Sequence, residues 1–236
     1  MSDSPIAVEQ HAEHGPELRH HFETAEQQRN AASLGMWIFL GTEIMFFGGM
    51  FCAYLIYRLN YFNEFAAGSR SLDVTLGTVN TMVLICSSLT VALGVRAAQM
   101  GKRTLLVILL LLTIVFGFAF LGIKGIEWYD KYKEHHIPGA SFDASDLIRD
   151  YPQIHIDPSH EQLYFSLYFA MTGLHALHMI IGVGIFAFLT FHAWKGRYTP
   201  HYYTPIEIGG LYWHFVDIVW IYLFPLLYLI DRKPLG

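Results

Sequence analysis

Charged residues are few in this chain: Asp, Glu, Lys and Arg together make up 15% of its 236 residues. A soluble domain of that length carries nearer a quarter, because it has a water-facing surface to cover. A water-soluble globular fold is therefore excluded. Charge of a single sign is also missing, since the net charge of -5 is divided among several segments and argues no nucleic-acid partner. Cysteine is nearly absent. Cys52 and Cys86 both lie inside apolar runs with no CxxC spacing, so neither a disulfide framework nor a thiolate metal site is built from them, and both read as small buried hydrophobes. The first 33 residues contain no short apolar core followed by a small-residue cleavage site, so no signal peptide is read and the first hydrophobic run is a retained span. No internal repeat is visible.

What is present is apolar and aromatic, at 53% and 16% of residues. Five runs are long enough to cross a bilayer: Leu34–Arg58, Asp73–Gln99, Thr104–Lys124, Glu161–Trp194 and Thr204–Ile230. Backbone in lipid must satisfy its own hydrogen bonds, so these runs are helices, and the fold class is an all-α bundle of five transmembrane helices. The fourth run would be about 50 Å long as a straight helix and must tilt or protrude. Residues 1–33 form a polar amino-terminal segment containing His11, His14, His20 and His21, and 231–236 a short tail. Helix starts are marked at Asp157-Pro158 and at Thr204-Pro205-Ile206-Glu207. In the latter, Thr204 is the expected cap, proline follows at the first helical position, and Glu207 completes a capping box. Tyr57, Tyr61, Phe62, Trp128, Tyr129, Tyr132, Tyr164 and Tyr168 fall at run edges on one side, as an interfacial aromatic belt would. At the other side two short connections carry Lys102, Arg103, Lys195 and Arg197 without an acid, which places the amino terminus in the cytoplasm and the carboxyl terminus outside.

The informative residues are the polar ones at membrane depth. Glu43 lies well inside the first run and Asp217 near the middle of the last, with His175, His178 and His214 at comparable depth. A carboxylate there costs a few kcal/mol or more unless paired, protonated or hydrated, so these groups turn towards the bundle interior. On a 3.6-residue period Met171, His175, His178 and Gly182 share one face, and Gly210, Trp213, His214, Asp217 and Trp220 another. Three readings stand open. The acids and imidazoles hydrogen-bond to one another and to lipid headgroups and lock the bundle; or the three histidines ligate haem or a metal; or Glu43 and Asp217 belong to a proton or ion path. Lys124 and Glu127 stand at an expected helix end, where snorkelling to water or headgroups accounts for them.

Several stretches resemble subunit III of the haem-copper respiratory oxidases. Gly35-Met36-Trp37-Ile38-Phe39-Leu40-Gly41-Thr42-Glu43 is similar to the family helix that carries a buried glutamate. Val79-Asn80-Thr81 and Gly125-Ile126-Glu127-Trp128-Tyr129 follow in family order, then Thr172-Gly173-Leu174-His175-Ala176-Leu177-His178. Tyr212-Trp213-His214-Phe215-Val216-Asp217-Ile218-Val219-Trp220 resembles its most recognisable stretch. The resemblance spans about residues 34–230. It implies an accessory subunit without catalytic residues, metal or cofactor of its own, docked on a catalytic subunit I that holds haem and copper, reduces oxygen and pumps protons. It also implies bound phospholipid in a cleft and support for proton uptake, with Glu43 as the cleft acid and His178 as a headgroup contact. His192, with Lys195 three residues on, stands where relatives often place arginine, and histidine cannot grip a phosphate bidentately. Some members have seven helices, so a five-helix form implies a cleft open on one side or closed by another subunit. The long 131–160 loop is expected to contact a cytochrome domain or a partner complex. The implied setting is a bacterial inner membrane, with cytochrome c as electron donor favoured over quinol, and with a nitric-oxide-reductase-associated subunit as a further alternative within the family. Outside the family, a haem-bearing membrane anchor and a small transporter remain as alternatives.

Overall fold

The computed structural model describes residues 22, 24–139, 142–150 and 156–230. Among the described residues seven helices follow one another: α1 (Ala25–Asn60), α2 (Phe62–Arg70), α3 (Val74–Gln99), α4 (Arg103–Lys133), α5 (Ser145–Asp150), α6 (Pro158–Trp194) and α7 (Thr204–Tyr228). Five of these, α1, α3, α4, α6 and α7, are long and apolar enough to span a membrane. The histidines at 11, 14, 20 and 21 lie outside the described residues.

Helix boundaries depart from the apolar runs in an instructive way. α1 starts at Ala25, where the Thr24 hydroxyl accepts a hydrogen bond from the Gln27 amide at 3.1 Å. Its first turns, Ala-Glu-Gln-Gln-Arg-Asn-Ala-Ala-Ser, are mostly good helix formers that hydropathy does not register. α4 likewise continues past Lys124 to Lys133. α6 begins at Pro158 with Asp157 as its cap, the carboxylate accepting from the Ser159 amide at 2.9 Å. The expected capping box of α7 is not formed. Tyr203 occupies the cap position, no side chain caps the helix, and the Tyr203 carbonyl accepts from the Ile206 and Glu207 amides. The helix start is shifted by one residue after the tight turn in which Thr199 and Tyr202 pair their backbones, so Thr204 is already helical and Glu207 falls one position past the one a capping box uses.

α3, α4, α6 and α7 pack as the central bundle, with α1 leaning on α7 and α2 lying across the end of α6. The α3–α4 hairpin closes at Gly101, whose φ of 68° is one that a side chain resists. α1 and α7 run the same way, since Phe39 stacks near Tyr212, Phe47 meets Phe215, and the Tyr54 hydroxyl donates to the Leu226 carbonyl. Tyr54 and Tyr164 donate to the carbonyls of Leu226 and Leu227 at 3.0 and 3.1 Å, serving acceptors that the end of α7 would leave unmet in lipid.

The centre is built around Trp213. Its ring lies between Gly117 on α4 and Gly182 on α6, where an added Cβ would stand 3.0 and 2.9 Å from ring carbons. The indole N–H donates to Ser87 Oγ on α3 at 2.9 Å. One side chain from α7 thus touches three other spans. α1 is the least embedded of the five spans, with Trp37, Ile38, Ile44, Met45 and Leu59 all exposed.

Beyond α4, the chain folds back over the bundle. His136 stacks on Phe165 with centroids 4.8 Å apart, and burial, aided by the Lys131 ammonium, holds its imidazole below the ordinary range. Asp143 accepts from the Ser145 amide at 2.8 Å, which holds its carboxyl below the usual carboxylate range and starts α5.

Candidate functional site

The seven site residues expected from the sequence do not form one cluster. Glu43 and His178 meet. Glu43 Oε2 on α1 lies 3.3 Å from His178 Nε2 on α6, and their side chains are 20% and 13% exposed. His178 Nδ1 is 2.8 Å from the Leu174 carbonyl, which can only accept, so Nδ1 carries a hydrogen. That leaves Nε2 facing a carboxyl. The contact is favourable only with a proton between them, either on the imidazole or on the glutamic acid. Phe47 and Tyr212 wall this pair at ring distances of 5.4 and 6.4 Å, and the Tyr212 hydroxyl donates to the His178 carbonyl. The result is a one-proton site that protein does not fully enclose.

His175, one turn away, has a different task. Its Nε2 donates to the Val216 carbonyl at 3.1 Å, and Phe120 and Trp220 enclose the ring at 5.3 and 5.2 Å. It is 1% exposed and joins α6 to α7. His214 points elsewhere again, with Nδ1 2.6 Å from Ser88 Oγ on α3. Asp217, one turn on, is buried along the same α3–α7 seam. The three imidazoles therefore do not converge, and among the described residues no three His, Cys, Asp or Glu side chains gather as a metal would need. The expected α7 face is real: Gly210 approaches Val91 and Val95, Trp213 reaches Ser87, and Trp220 donates to Thr81 Oγ1 at 3.1 Å.

His192 and Lys195 lie at the far end of α6, roughly 21–25 Å from His178 along the helix at 1.5 Å per residue. His192 Nδ1 bonds the Phe188 carbonyl at 3.0 Å, and Lys195 Nζ sits 4.3 Å over the Phe191 ring. They share an end of the molecule with the α3–α4 turn that carries Lys102 and Arg103, and are separate from the Glu43 pair.

A buried, oppositely charged pair was missed. Lys124 and Glu127 do not snorkel: they are 2% and 3% exposed, with Nζ 3.2 Å from Oε2. Lys124 donates to the hydroxyls of Tyr168 and Tyr228 at 2.9 and 2.6 Å, and both hydroxyls donate onward to Glu127 Oε1. The rings of Tyr168, Trp220 and Tyr228 surround the ammonium at 4.7 to 5.3 Å. Tyr164 and Tyr168 are thus buried and not part of the belt, whereas Tyr57, Phe62, Tyr129 and Tyr132 are exposed at that end. The signal available was the opposite-charge pair at i,i+3 inside a membrane helix, a spacing that puts both groups on one face.

Comparison with known proteins comes last. The sequence profile described as cytochrome c oxidase subunit III matches residues 17–146 and 154–231. A protein of Nocardia farcinica named as a probable cytochrome c oxidase subunit 3 is 32% identical over 201 residues, covering 85% of this chain and 89% of its own. Quinol oxidase subunit 3 of Bacillus subtilis is 29% identical over 223 residues, covering 93% and 97%. The haem-copper oxidase subunit I+III of Aeropyrum pernix is 29% identical over 201 residues, which make up 83% of this chain but 22% of that one.

Proposed function

Because the chain belongs to the cytochrome c oxidase subunit III family, a subunit of haem-copper oxidases, we propose that it is a cofactor-free accessory subunit that keeps its catalytic partner stable and supplied with protons. Haem and copper belong, in this reading, to the catalytic subunit I. The observation that carries it is the Glu43–His178 pair: a one-proton site, walled by aromatic rings, partly exposed, and held in part by α1, whose own face is largely uncovered. A phospholipid lying along α1 is proposed to occupy that face, with the pair as its polar anchor and His192 and Lys195 outside the anchor. A residue pair that shares one proton can also pass it on, which is the chemistry that support of proton uptake requires.

The name of the Aeropyrum pernix relative joins subunits I and III in one chain, which supports a partner of the subunit I kind. Relatives named for cytochrome c and for quinol are similar to nearly the same degree, as expected if the donor site lies on another subunit. The same proposal puts the chain in a bacterial inner membrane. The Lys102–Arg103 and Lys195–Arg197 end is taken as cytoplasmic, so a cysteine introduced at Gly196 would label from that side alone. Contact of the 131–160 loop with a partner complex is also part of it, and deleting residues 141–151 would then reduce what co-purifies.

The deciding experiment is an optical spectrum of the tagged chain, isolated gently and again after stripping to the lone polypeptide. A haem-bearing gentle preparation with a colourless lone chain is expected. A reducible haem band on the lone chain would move the function to a membrane cytochrome. In the same complex Glu43→Ala is expected to lower sustained turnover several-fold and reduce the phospholipids retained in native mass spectrometry, with haem content unchanged. Loss of haem in that variant would refute the assignment.

A further inference from the structure

The contact between α2 and the start of α6 encloses a carboxyl group that no cation answers. Glu161, in the first turn of α6, is 0% exposed, and among the described residues neither of its oxygens has a hydrogen-bond partner. Gly68 of α2 lies directly over it: a Cβ built there would stand 2.6 Å from Oε1 and run into the Tyr164 ring. Glu64, one turn earlier on α2, shares that face, and its charge is the one that acts on Glu161.

The groups around Glu161 are all occupied elsewhere. The Tyr54 hydroxyl of α1 and the Tyr164 hydroxyl of α6 donate to carbonyls at the end of α7. Lys131 of α4 donates to the Ser71 carbonyl and to Glu134. Neither Arg58 of α1 nor Arg70 of α2 bonds the carboxyl. His160 faces the other way: it stacks on Tyr61 at 3.7 Å, with Nδ1 3.8 Å from Glu64 Oε1 and 3.8 Å from Asp157 Oδ2. These last groups line a pocket of about 420 Å3 together with Asn60 and Asn63, and solvent reaches it, since the His160 and Asp157 side chains are 32% and 44% exposed. Among the described residues no three such side chains gather as a metal would need. A carboxylate shut off from water, without donor or cation and beside a second carboxylate, is met most simply by a proton.

We propose that α2 is a proton-dependent latch: it lies closed on α6 while the Glu161 carboxyl keeps its proton, and ionisation of that carboxyl against Glu64 drives the two helices apart. The proton leaves to water through the pocket at Glu64 and His160. Closure binds the proton and opening releases it, so the latch is firmest at low pH and weakens as pH rises. What loosens with it follows from its bonds. α2 directly continues α1, Ser69 Oγ accepts from the Ile230 amide at 3.3 Å, and the Ser71 carbonyl holds Lys131. The latch is a property of this chain alone and does not depend on the accessory role.

The test is hydrogen exchange of the full chain in lipid nanodiscs, read by mass spectrometry on residues 62–70 at about pH 6 and about pH 9 and corrected for the chemical rate. Corrected exchange in the wild type is expected to rise at least about tenfold at the higher pH, with the middle of α6 and α7 unmoved. Glu161→Gln keeps the shape of the neutral acid and is expected to stay closed at both. Glu64→Gln removes the repelling charge and should shrink the rise. A wild type that ignores pH overturns the proposal. So does a rise of full size in Glu161→Gln, which would pass the effect to His160 or Lys124, or one spread evenly over all five spans. An undiminished rise in Glu64→Gln overturns it whatever Glu161→Gln does.

Discussion

Glu127→Ala is expected to destabilise the isolated chain by about 3–5 kcal/mol in a detergent or nanodisc unfolding titration, the cost of breaking a buried ion pair by removing one member. Three things are lost together. The Lys124 ammonium loses its counter-charge at 3.2 Å, and the Tyr168 and Tyr228 hydroxyls lose the Oε1 acceptor that both use. Those hydroxyls belong to α6 and α7, so the damage spreads from α4 to two other spans. Lys124→Met in the Glu127→Ala background should recover much of the loss, because an uncharged chain no longer needs a partner. That rescue separates a stranded charge from a simple cavity. A loss below about 1 kcal/mol would instead mean that water or headgroups reach the pair, as an exposed salt bridge allows.

Trp213→Ala is expected to cost a similar amount, about 3–5 kcal/mol, for a different reason. The ring is fully buried between Gly117 and Gly182, so truncation leaves a hole that two glycines cannot fill, and Ser87 loses its donor. Trp213→Phe keeps most of the ring and should cost far less, about 1 kcal/mol for the lost hydrogen bond plus imperfect packing. Gly182→Val approaches from the other side: its Cβ would meet the indole at about 2.9 Å and force the helices apart, at about 1–3 kcal/mol. The ranking of the three, read by thermal unfolding of the same preparation, is the check. Equal effects of the Phe and Ala variants would show that the indole N–H, and not ring volume, is what holds α3 in place.

The five spans were legible because lipid imposes a simple rule, about 20 apolar residues per crossing, and the chain obeys it. Their ends were not. Ala25 to Ser33 and Gly125 to Lys133 are helical yet carry polar and charged side chains, so hydropathy falls silent while the backbone continues. The capping box at Thr204 misled because local spacing says nothing about a turn arriving from upstream, here the Thr199–Tyr202 pairing.

The site was legible in parts. Periodicity correctly put Trp213, Asp217 and Trp220 on one face, because a face is a property of one helix. Which helix that face meets is a property of the bundle, so His175, His178 and His214 looked like one cluster and proved to have three separate partners. Lys124 and Glu127 were passed over because the helix was expected to stop at Lys124. With α4 running on to Lys133, the same two residues fall well inside it and turn towards Tyr168 and Tyr228.

The parallel alignment of α1 with α7 sets an order of events during synthesis. α1 leaves the ribosome first and α7 last, yet the Tyr54 hydroxyl must find the Leu226 carbonyl, 172 positions downstream. At about 5–20 residues per second, that wait is on the order of ten to thirty seconds. Throughout most of it α1 stands in the bilayer without its main neighbour, and Glu43 without the imidazole that shares its proton. Its long, outward-facing apolar surface is what lets it stand there alone. Of these five spans, the last to be made is therefore the one that closes the bundle around the first.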